Sequence, residues 1–356
     1  MTSLRRRAIL RGAVAATAAA GTTGTASAAP TTRTGKPRSA VDGLLNLFAA
    51  TPVVALDEGA HHLQDTWDFL AVVMQHPRFD AVDAVVVEFG NSRYQNVADA
   101  YVSGEIVRRS DLQPIWRDTT QSPNSNGDFP ALERVFSLTR AINLYGGRTR
   151  PLRVLLPDPP IDWLSVTGSD DLFALLPQRN QTWSNVIIRE VLDPGRRCIA
   201  VGGGTHFFRG LPNPSRTVTA MIEQRHPGSV SVVRTHSTVA EGREAAVEAT
   251  VAGWPRPAIA PARRIAYGAL PATDVFGPGS YPPGLIEGLA DKTVADLCDH
   301  VLCLGRRTEL TSAVLDWQVY YEPTYWAELN RRKTLVYPTS DLEDLRHEGE
   351  PTMFPN

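Results

Sequence analysis

The chain has 356 residues, of which 42% are hydrophobic, and 36 basic residues nearly balance 38 acidic ones to give a formal net charge of −2. Such a composition is ordinary for a globular protein, and the small charge argues against nucleic acid as a partner. The length suffices for one large α/β domain or two smaller ones.

The N-terminus has the features of an export signal. Residues 1–28 contain the basic stretch Arg5-Arg6-Arg7, a weakly apolar Ala/Thr-rich run and the small-x-small cleavage pattern Ala26-Ser27-Ala28. The stretch Arg6-Arg7-Ala8-Ile9-Leu10-Arg11 resembles a twin-arginine signal, which implies the twin-arginine export machinery as a partner and a location in the periplasm, the cell envelope or outside the cell. A basic, disordered tail is the alternative interpretation. Residues 29–40 read as a flexible linker.

No segment of the mature chain is apolar over the roughly 20 residues that a transmembrane anchor needs. Cys198, Cys298 and Cys303 are the cysteines of the chain, and Cys198 and Cys303 lie in apolar runs. Small buried side chains are therefore the first interpretation, although an exported protein could form one disulfide among the three.

Apolar runs alternate with segments of helical periodicity along the rest of the chain. The predicted strands cover 53–56, 82–89, 152–156, 197–201, 229–234 and 300–304. The main predicted helices cover 65–75, 96–107, 129–144, 183–192 and 323–333, whereas 217–224 fits either a helix or a strand. Strands that alternate with helices predict an α/β fold with a mainly parallel central sheet and helices on both faces. We expect one large domain over 41–356, with helical and loop insertions.

Polar residues follow the predicted strands at the positions where each strand ends. Ligands of open α/β sheets bind beyond the carboxyl ends of the strands, so these residues are candidates for one shared site. The fold argument places six of them on one rim: Glu58, His61, Glu88, Asp158, His206 and Arg209. Glu58 and His61 stand three residues apart, a spacing that puts a carboxylate and an imidazole on the same face of a helical turn.

Several of these residues have a structural alternative. Glu88 inside an apolar strand could form a salt bridge with Arg93, and Asp158 could shape the turn before two prolines. The triple glycine 202–204 could cradle a phosphate through its amides, or let His206 approach a ligand closely. His236 follows the predicted strand 229–234 and is a weaker functional candidate.

The sequence contains neither a Gly-x-Ser-x-Gly elbow nor a His-Glu-x-x-His motif. An α/β-hydrolase triad and a typical zinc metalloprotease are therefore disfavoured. Water remains the expected attacking group, activated by a His or Glu base or by a metal ion.

The ordered set of these motifs resembles the superfamily that includes erythromycin esterases, ChaN-like haem-binding proteins and Tiki/TraB-like proteins. The resemblance rests on Glu58-Gly59-Ala60-His61, on Val85-Val86-Val87-Glu88 and on Gly203-Gly204-Thr205-His206-Phe207-Phe208-Arg209, and it covers Val53 to about Arg332. Further phrases, including Trp116-Arg117-Asp118-Thr119-Thr120, look like an uncharacterised bacterial subgroup. Asp57 stands where the family usually has a glycine.

The esterase branch implies an exported hydrolase of a small-molecule substrate that remains unnamed. By this resemblance His61 is the general base, Glu58 and Glu88 orient it or the water, and His206 contacts substrate or stabilises developing charge. Further substrate contacts are expected from four residues that follow predicted strands: Asp158, Arg209, Tyr94 and Arg93. The other branches imply a divalent metal ion or haem as cofactor, and a haem- or iron-binding envelope protein is the alternative function, with Tyr94 or His206 as an axial ligand.

Overall fold

The structure is a computed structural model, and it describes residues 35–59, 63–123, 128–211, 217–276, 288–313, 316 and 321–336. The predicted signal (1–28) and His61 lie outside these residues. Within the predicted linker (29–40), Arg38 and Ser39 form a short edge strand and Ala40 begins the first helix.

One mixed sheet contains all eight strands of the described residues. They are β1 Arg38–Ser39, β2 Val53–Asp57, β3 Ala84–Val87, β4 Arg153–Leu155, β5 Cys198–Gly202, β6 Val230–Thr235, β7 Ala258–Pro261 and β8 His300–Cys303. Their order across the sheet is β1-β7-β8-β6-β2-β5-β3-β4. The six strands from β8 to β4 are parallel, and β7 and β1 are antiparallel at one side.

Helices connect most of these strands. Within the described residues they are α1 Ala40–Leu47, α2 Gln64–Met74, α3 Gln95–Ser103, α4 Arg109–Leu112, α5 Pro114–Arg117, α6 Pro130–Tyr145, α7 Ser169–Phe173, α8 Arg179–Ile187, α9 Val218–Arg225, α10 Glu244–Ala249, α11 Ala272–Val275, α12 Val294–Leu297 and α13 Pro323–Val336. None of the helices in this part of the chain is both long and apolar enough to span a bilayer.

Both faces of the sheet are covered, because successive residues of each parallel strand point to opposite sides. Val54 and Leu56 of β2 pack in the core that includes residues of α1, α2, α3 and α6. Val53 and Ala55 pack in a second core with residues of α8, α9 and α10. The predicted α/β class, with a mainly parallel sheet between two helical layers, is confirmed.

The register of the sheet brings the carboxyl ends of three central strands together. Asp57 at the end of β2 pairs with Gly202 at the end of β5, and Val87 at the end of β3 lies opposite Val201. The residues that follow these ends, beginning with Glu58, Glu88 and Gly203, therefore share one edge of the sheet.

Candidate functional site

Glu88 follows β3 directly and is the centre of the site. Its side chain is buried, and its Oε1 accepts hydrogen bonds from Arg179 Nη2 at 2.8 Å and from Gln121 Nε2 at 3.0 Å. His206 Nε2 lies 3.2 Å from the same oxygen, and Oε2 accepts the backbone N–H of Gly203 at 2.6 Å. A buried carboxylate is stable only when it is paired and hydrogen-bonded, and these four contacts supply that compensation.

The triple glycine after β5 brings backbone against two buried carboxylates. A Cβ at Gly202 would lie 2.7 Å from Glu88 Oε2, and a Cβ at Gly204 would lie 2.7 Å from the Asp57 carboxyl carbon. Between them, the N–H of Gly203 donates to Glu88. The described contacts of this turn are therefore to the protein's own carboxylates. These contacts explain why glycine is needed at these positions without a bound phosphate.

His206 ends the short 3-10 turn that the glycines begin. Its Nδ1 is 2.5 Å from Asn180 Oδ1 and its Nε2 is 3.2 Å from Glu88 Oε1, while the ring packs 5.2 Å from the Trp183 ring, centroid to centroid. Both ring nitrogens face oxygen atoms, so the ring is held between Asn180 and Glu88.

Arg179, the first residue of α8, links Glu88 to a second buried carboxylate. Its Nε donates to Asp158 Oδ1 at 3.2 Å, and Asp158 also accepts from Thr120 N and Thr120 Oγ1, each at 2.7 Å. Burial alone would lower the pKa of Arg179, but Glu88 and Asp158 outweigh it and raise that pKa. The guanidinium is therefore a fixed positive charge between two acids.

Glu58 lies beside this cluster at the end of β2. It is 1% exposed, and its N–H donates to the carbonyl of Gly202 at 3.0 Å. Its own carbonyl accepts from Thr66 Oγ1 of α2 at 2.9 Å. Glu58, Glu88, Asp158 and His206 thus come to one edge of the sheet, as predicted from the strand ends, while His61 lies outside the described residues.

Asp57, the last residue of β2, has structural partners. Its Oδ2 is 3.2 Å from Nη1 of the buried Arg234, and its Oδ1 accepts the N–H of Gly59 at 2.9 Å. The carboxylate is thus neutralised by an arginine from β6, and Gly204 leaves the space that it occupies.

Arg93 and Tyr94 lie on the turn after β3 and contact other acids. Arg93 Nη2 pairs with Asp162 at 3.0 Å, so the salt bridge considered between Arg93 and Glu88 is replaced by the one from Arg179. The Tyr94 hydroxyl donates to Asp118 at 2.9 Å, and burial together with Asp118 raises the pKa of Tyr94.

The structure brings Arg209 to a different group of residues. Its guanidinium pairs with Glu223 at 2.7 Å and with Asp299 at 3.0 Å, and it donates to the carbonyl of Val230. Val230 begins β6 and Asp299 precedes β8, so these contacts lie at the amino ends of the strands. The described contacts of Arg209 join α9 to the sheet and include no residue of the Glu88 cluster.

His236 follows β6 and is fully buried away from Glu88's contacts. Its Nε2 lies 3.0 Å from Glu248 Oε1 and its Nδ1 lies 3.3 Å from the Tyr267 hydroxyl. Burial lowers the pKa of His236, against the opposing effect of Glu248.

Cys198, Cys298 and Cys303 are likewise buried, each as a free thiol.

Four residues of the cluster escaped sequence reasoning: Thr120, Gln121, Arg179 and Asn180. None of them follows a strand, so the strand-end argument could not select them. The only signal is indirect: Glu88 was predicted to lie inside an apolar strand, and a buried acid requires a cationic or hydrogen-bonding partner from elsewhere in the chain.

The described residues do not fit a metal ion or a haem at Glu88. No three side chains of His, Cys, Asp or Glu in this part of the chain are placed to hold a metal ion together. Arg179 already occupies Glu88 Oε1 and would repel a cation there. The proposed axial ligands are engaged as well, since Tyr94 donates to Asp118 and both ring nitrogens of His206 face oxygen atoms.

Comparisons with known proteins give distant structural similarity only. No family model and no curated protein matches the chain. A solved structure of a protein from Bacillus cereus is 9% identical with a TM-score of 0.48, over 79% of this chain and 96% of that one. An erythromycin esterase mutant in its open conformation is 10% identical with a TM-score of 0.44, over 74% and 94%. A bacterial protein toxin is 12% identical with a TM-score of 0.39 over 56% of this chain, which spans only 37% of the toxin.

Proposed function

We propose that this protein is an exported hydrolase of the erythromycin-esterase-like type, acting on a small-molecule substrate with water activated at the edge that carries Glu58, Glu88 and His206. The observation that carries the proposal is the environment of the buried Glu88 carboxylate. One of its oxygens, Oε1, lies within hydrogen-bond distance of Arg179, Gln121 and His206. Buried, charge-coupled acids and imidazoles at a strand-end edge are typical of catalytic sites. The resemblance of the strand-end motifs points to ester hydrolysis.

Each residue has a role that follows from its contacts. Glu88 and Asn180 fix the His206 ring from opposite sides at this edge. By resemblance, His206 contacts the substrate or stabilises the charge that develops when water attacks an ester carbonyl. The general base is assigned to His61 by resemblance, with Glu58 beside it in the chain.

In this mechanism the base accepts a proton from water, the resulting hydroxide bonds to the ester carbonyl carbon, and the bond to the leaving oxygen breaks as that oxygen gains a proton. Arg179 is a positioning residue, because it contacts Glu88 and Asp158 and keeps Glu88 oriented toward His206.

A panel of p-nitrophenyl and lactone esters tests the proposal with Glu88→Gln and His206→Asn. Glu88→Gln keeps the side-chain size but removes a charge from the edge, and His206→Asn removes the imidazole; for each we expect kcat/KM to fall by about 10²- to 10⁴-fold. Glu133→Gln is the matched control, since Glu133 is a carboxylate on α6 that pairs with Arg109 away from this edge.

Two results would contradict the proposal. One is a wild-type protein that hydrolyses none of the esters. The other is an equal rate in Glu88→Gln, His206→Asn and the control, which would place the chemistry elsewhere. Circular dichroism of each variant separates loss of activity from loss of folding.

A further inference from the structure

A cavity lies at the edge of the sheet opposite Glu88. It has a volume of about 630 Å³, and it is lined by Pro52, Arg197 and Ser229, which immediately precede β2, β5 and β6. The end of α9 adds Arg225 to the wall. Its volume is in the range of small-molecule sites, roughly 300–1,000 Å³. We call this cavity the basic cleft.

The lining of the basic cleft is positively charged. Arg196, Arg197 and Arg225 line it, and no acidic residue is among its lining residues. Within the described ranges, none of these three guanidinium groups forms an ion pair. The fourth basic residue, His226, has its Nε2 3.3 Å from Asp193 Oδ1.

Two acids have described contacts with this wall. Asp193 lies beside His226, and Asp83 Oδ2 accepts the backbone N–H of Arg197 at 2.9 Å while its Oδ1 pairs with Arg150 at 3.1 Å. Among the described ion pairs, neither carboxylate is joined to the guanidinium group of Arg196, Arg197 or Arg225.

We propose that the basic cleft binds a multiply charged, phosphate-bearing ligand. Guanidinium groups bind phosphate oxygens through paired N–H donors, and three of them around one cavity fit more than one phosphoryl group. This site is separate from the proposed hydrolytic edge, because it lies at the amino ends of the strands.

Isothermal titration calorimetry of the full chain with inorganic pyrophosphate tests the site. We expect binding by the wild type, and affinity about tenfold weaker for each arginine removed in Arg196→Ala and Arg225→Ala, which corresponds to about 1.4 kcal/mol per tenfold step.

The matched controls are Arg108→Ala and Arg134→Ala, which remove the same charge from exposed arginines that pair with Asp111 and Asp68. These variants should bind pyrophosphate as the wild type does. The proposal is overturned if the wild type does not bind at millimolar pyrophosphate, if the controls weaken binding as much as the cleft variants, or if citrate binds as tightly as pyrophosphate. Ester hydrolysis should be unchanged in the cleft variants, so this test is independent of the proposed activity.

Discussion

At the scale of single residues, Arg179 determines whether Glu88 and Asp158 can both stay buried. Its Nη2 reaches Glu88 and its Nε reaches Asp158, so one planar group compensates two carboxylates that are each 2% exposed. Removal of one partner from such a group leaves a buried charge without compensation, which is far more destabilising than loss of a surface pair. The cluster therefore depends on the fork geometry of arginine as well as on its charge.

Arg179→Lys isolates this geometric contribution, because lysine keeps the charge but has one compact ammonium group. We expect a loss of about 1–3 kcal/mol in the free energy of unfolding, the value of a hydrogen bond to a charged group, together with reduced ester hydrolysis. Urea denaturation measures the first effect. Arg189→Lys is the control from the same helical segment, since Arg189 is 68% exposed and pairs only with the adjacent Glu190. Equal stability of the two variants would show that Arg179 does not hold the carboxylates.

Some residues of the cluster could be predicted from the sequence, and others could not. Glu88 and His206 could be predicted because each follows a strand, and strand ends converge in a parallel sheet. Arg179 and Gln121 reach the same point from a helix and a loop, and no periodicity marks them. Arg209 shows the converse limit, because three residues after His206 its contacts are already with α9 and the amino ends of β6 and β8.

At the scale of elements, the turn after β5 is constrained on both sides by carboxylates. Gly202 faces Glu88 and Gly204 faces Asp57, and Asp57 is itself held by Arg234 at 3.2 Å. Because a buried ion pair cannot move away without losing its partner, the turn has no room for a side chain. The glycines thus set the distance between β2 and the β5 turn.

Gly204→Ala should therefore be strongly destabilising. The added Cβ would lie 2.7 to 2.9 Å from three atoms of the Asp57 carboxylate, and overpacking of this kind costs about 1–3 kcal/mol. Gly253→Ala is the control, because a Cβ there meets nothing within 4 Å. Thermal unfolding of the two variants measures the difference. A Gly204→Ala protein as stable as the control would mean that Asp57 is free to shift.

Elements differed in how well the sequence predicted them. The six parallel strands were predicted because buried parallel strands are short apolar runs. By contrast, β7 lies in an Ala- and Pro-rich segment, and β1 has only two residues, so neither has a clear pattern. The ambiguous segment 217–224 is the helix α9, which starts where Thr217 Oγ1 accepts the N–H of Ala220.

At the scale of the whole molecule, the parallel sheet separates two chemically different edges. Its carboxyl edge carries the acids and His206, whereas its amino edge carries the three arginines of the basic cleft. Since the strands between them are fully buried, the two edges are joined only through the apolar core. We therefore expect substitutions at the two edges to affect stability additively.

Two histidines should contribute less stability to the molecule as the pH falls below neutrality. His236 is fully buried and burial lowers its pKa, and burial lowers the pKa of His300 as well. Below the ordinary histidine pKa of about 6.5, the unfolded chain takes up protons that the folded protein resists. The free energy of unfolding therefore falls with decreasing pH, by up to about 1.4 kcal/mol per pH unit for each histidine, until the lowered pKa is reached.

Urea denaturation of the wild type and of His236→Gln at pH 7 and pH 5 measures this effect. Glutamine keeps a polar group between Glu248 and Tyr267 but cannot titrate, so the variant should lose less stability than the wild type between the two pH values. His76→Gln is the control, because His76 only caps an exposed turn through Arg78 N, and it should follow the wild type. If His236→Gln loses as much stability as the wild type, His236 is protonated in the folded protein at pH 5 and Glu248 outweighs its burial.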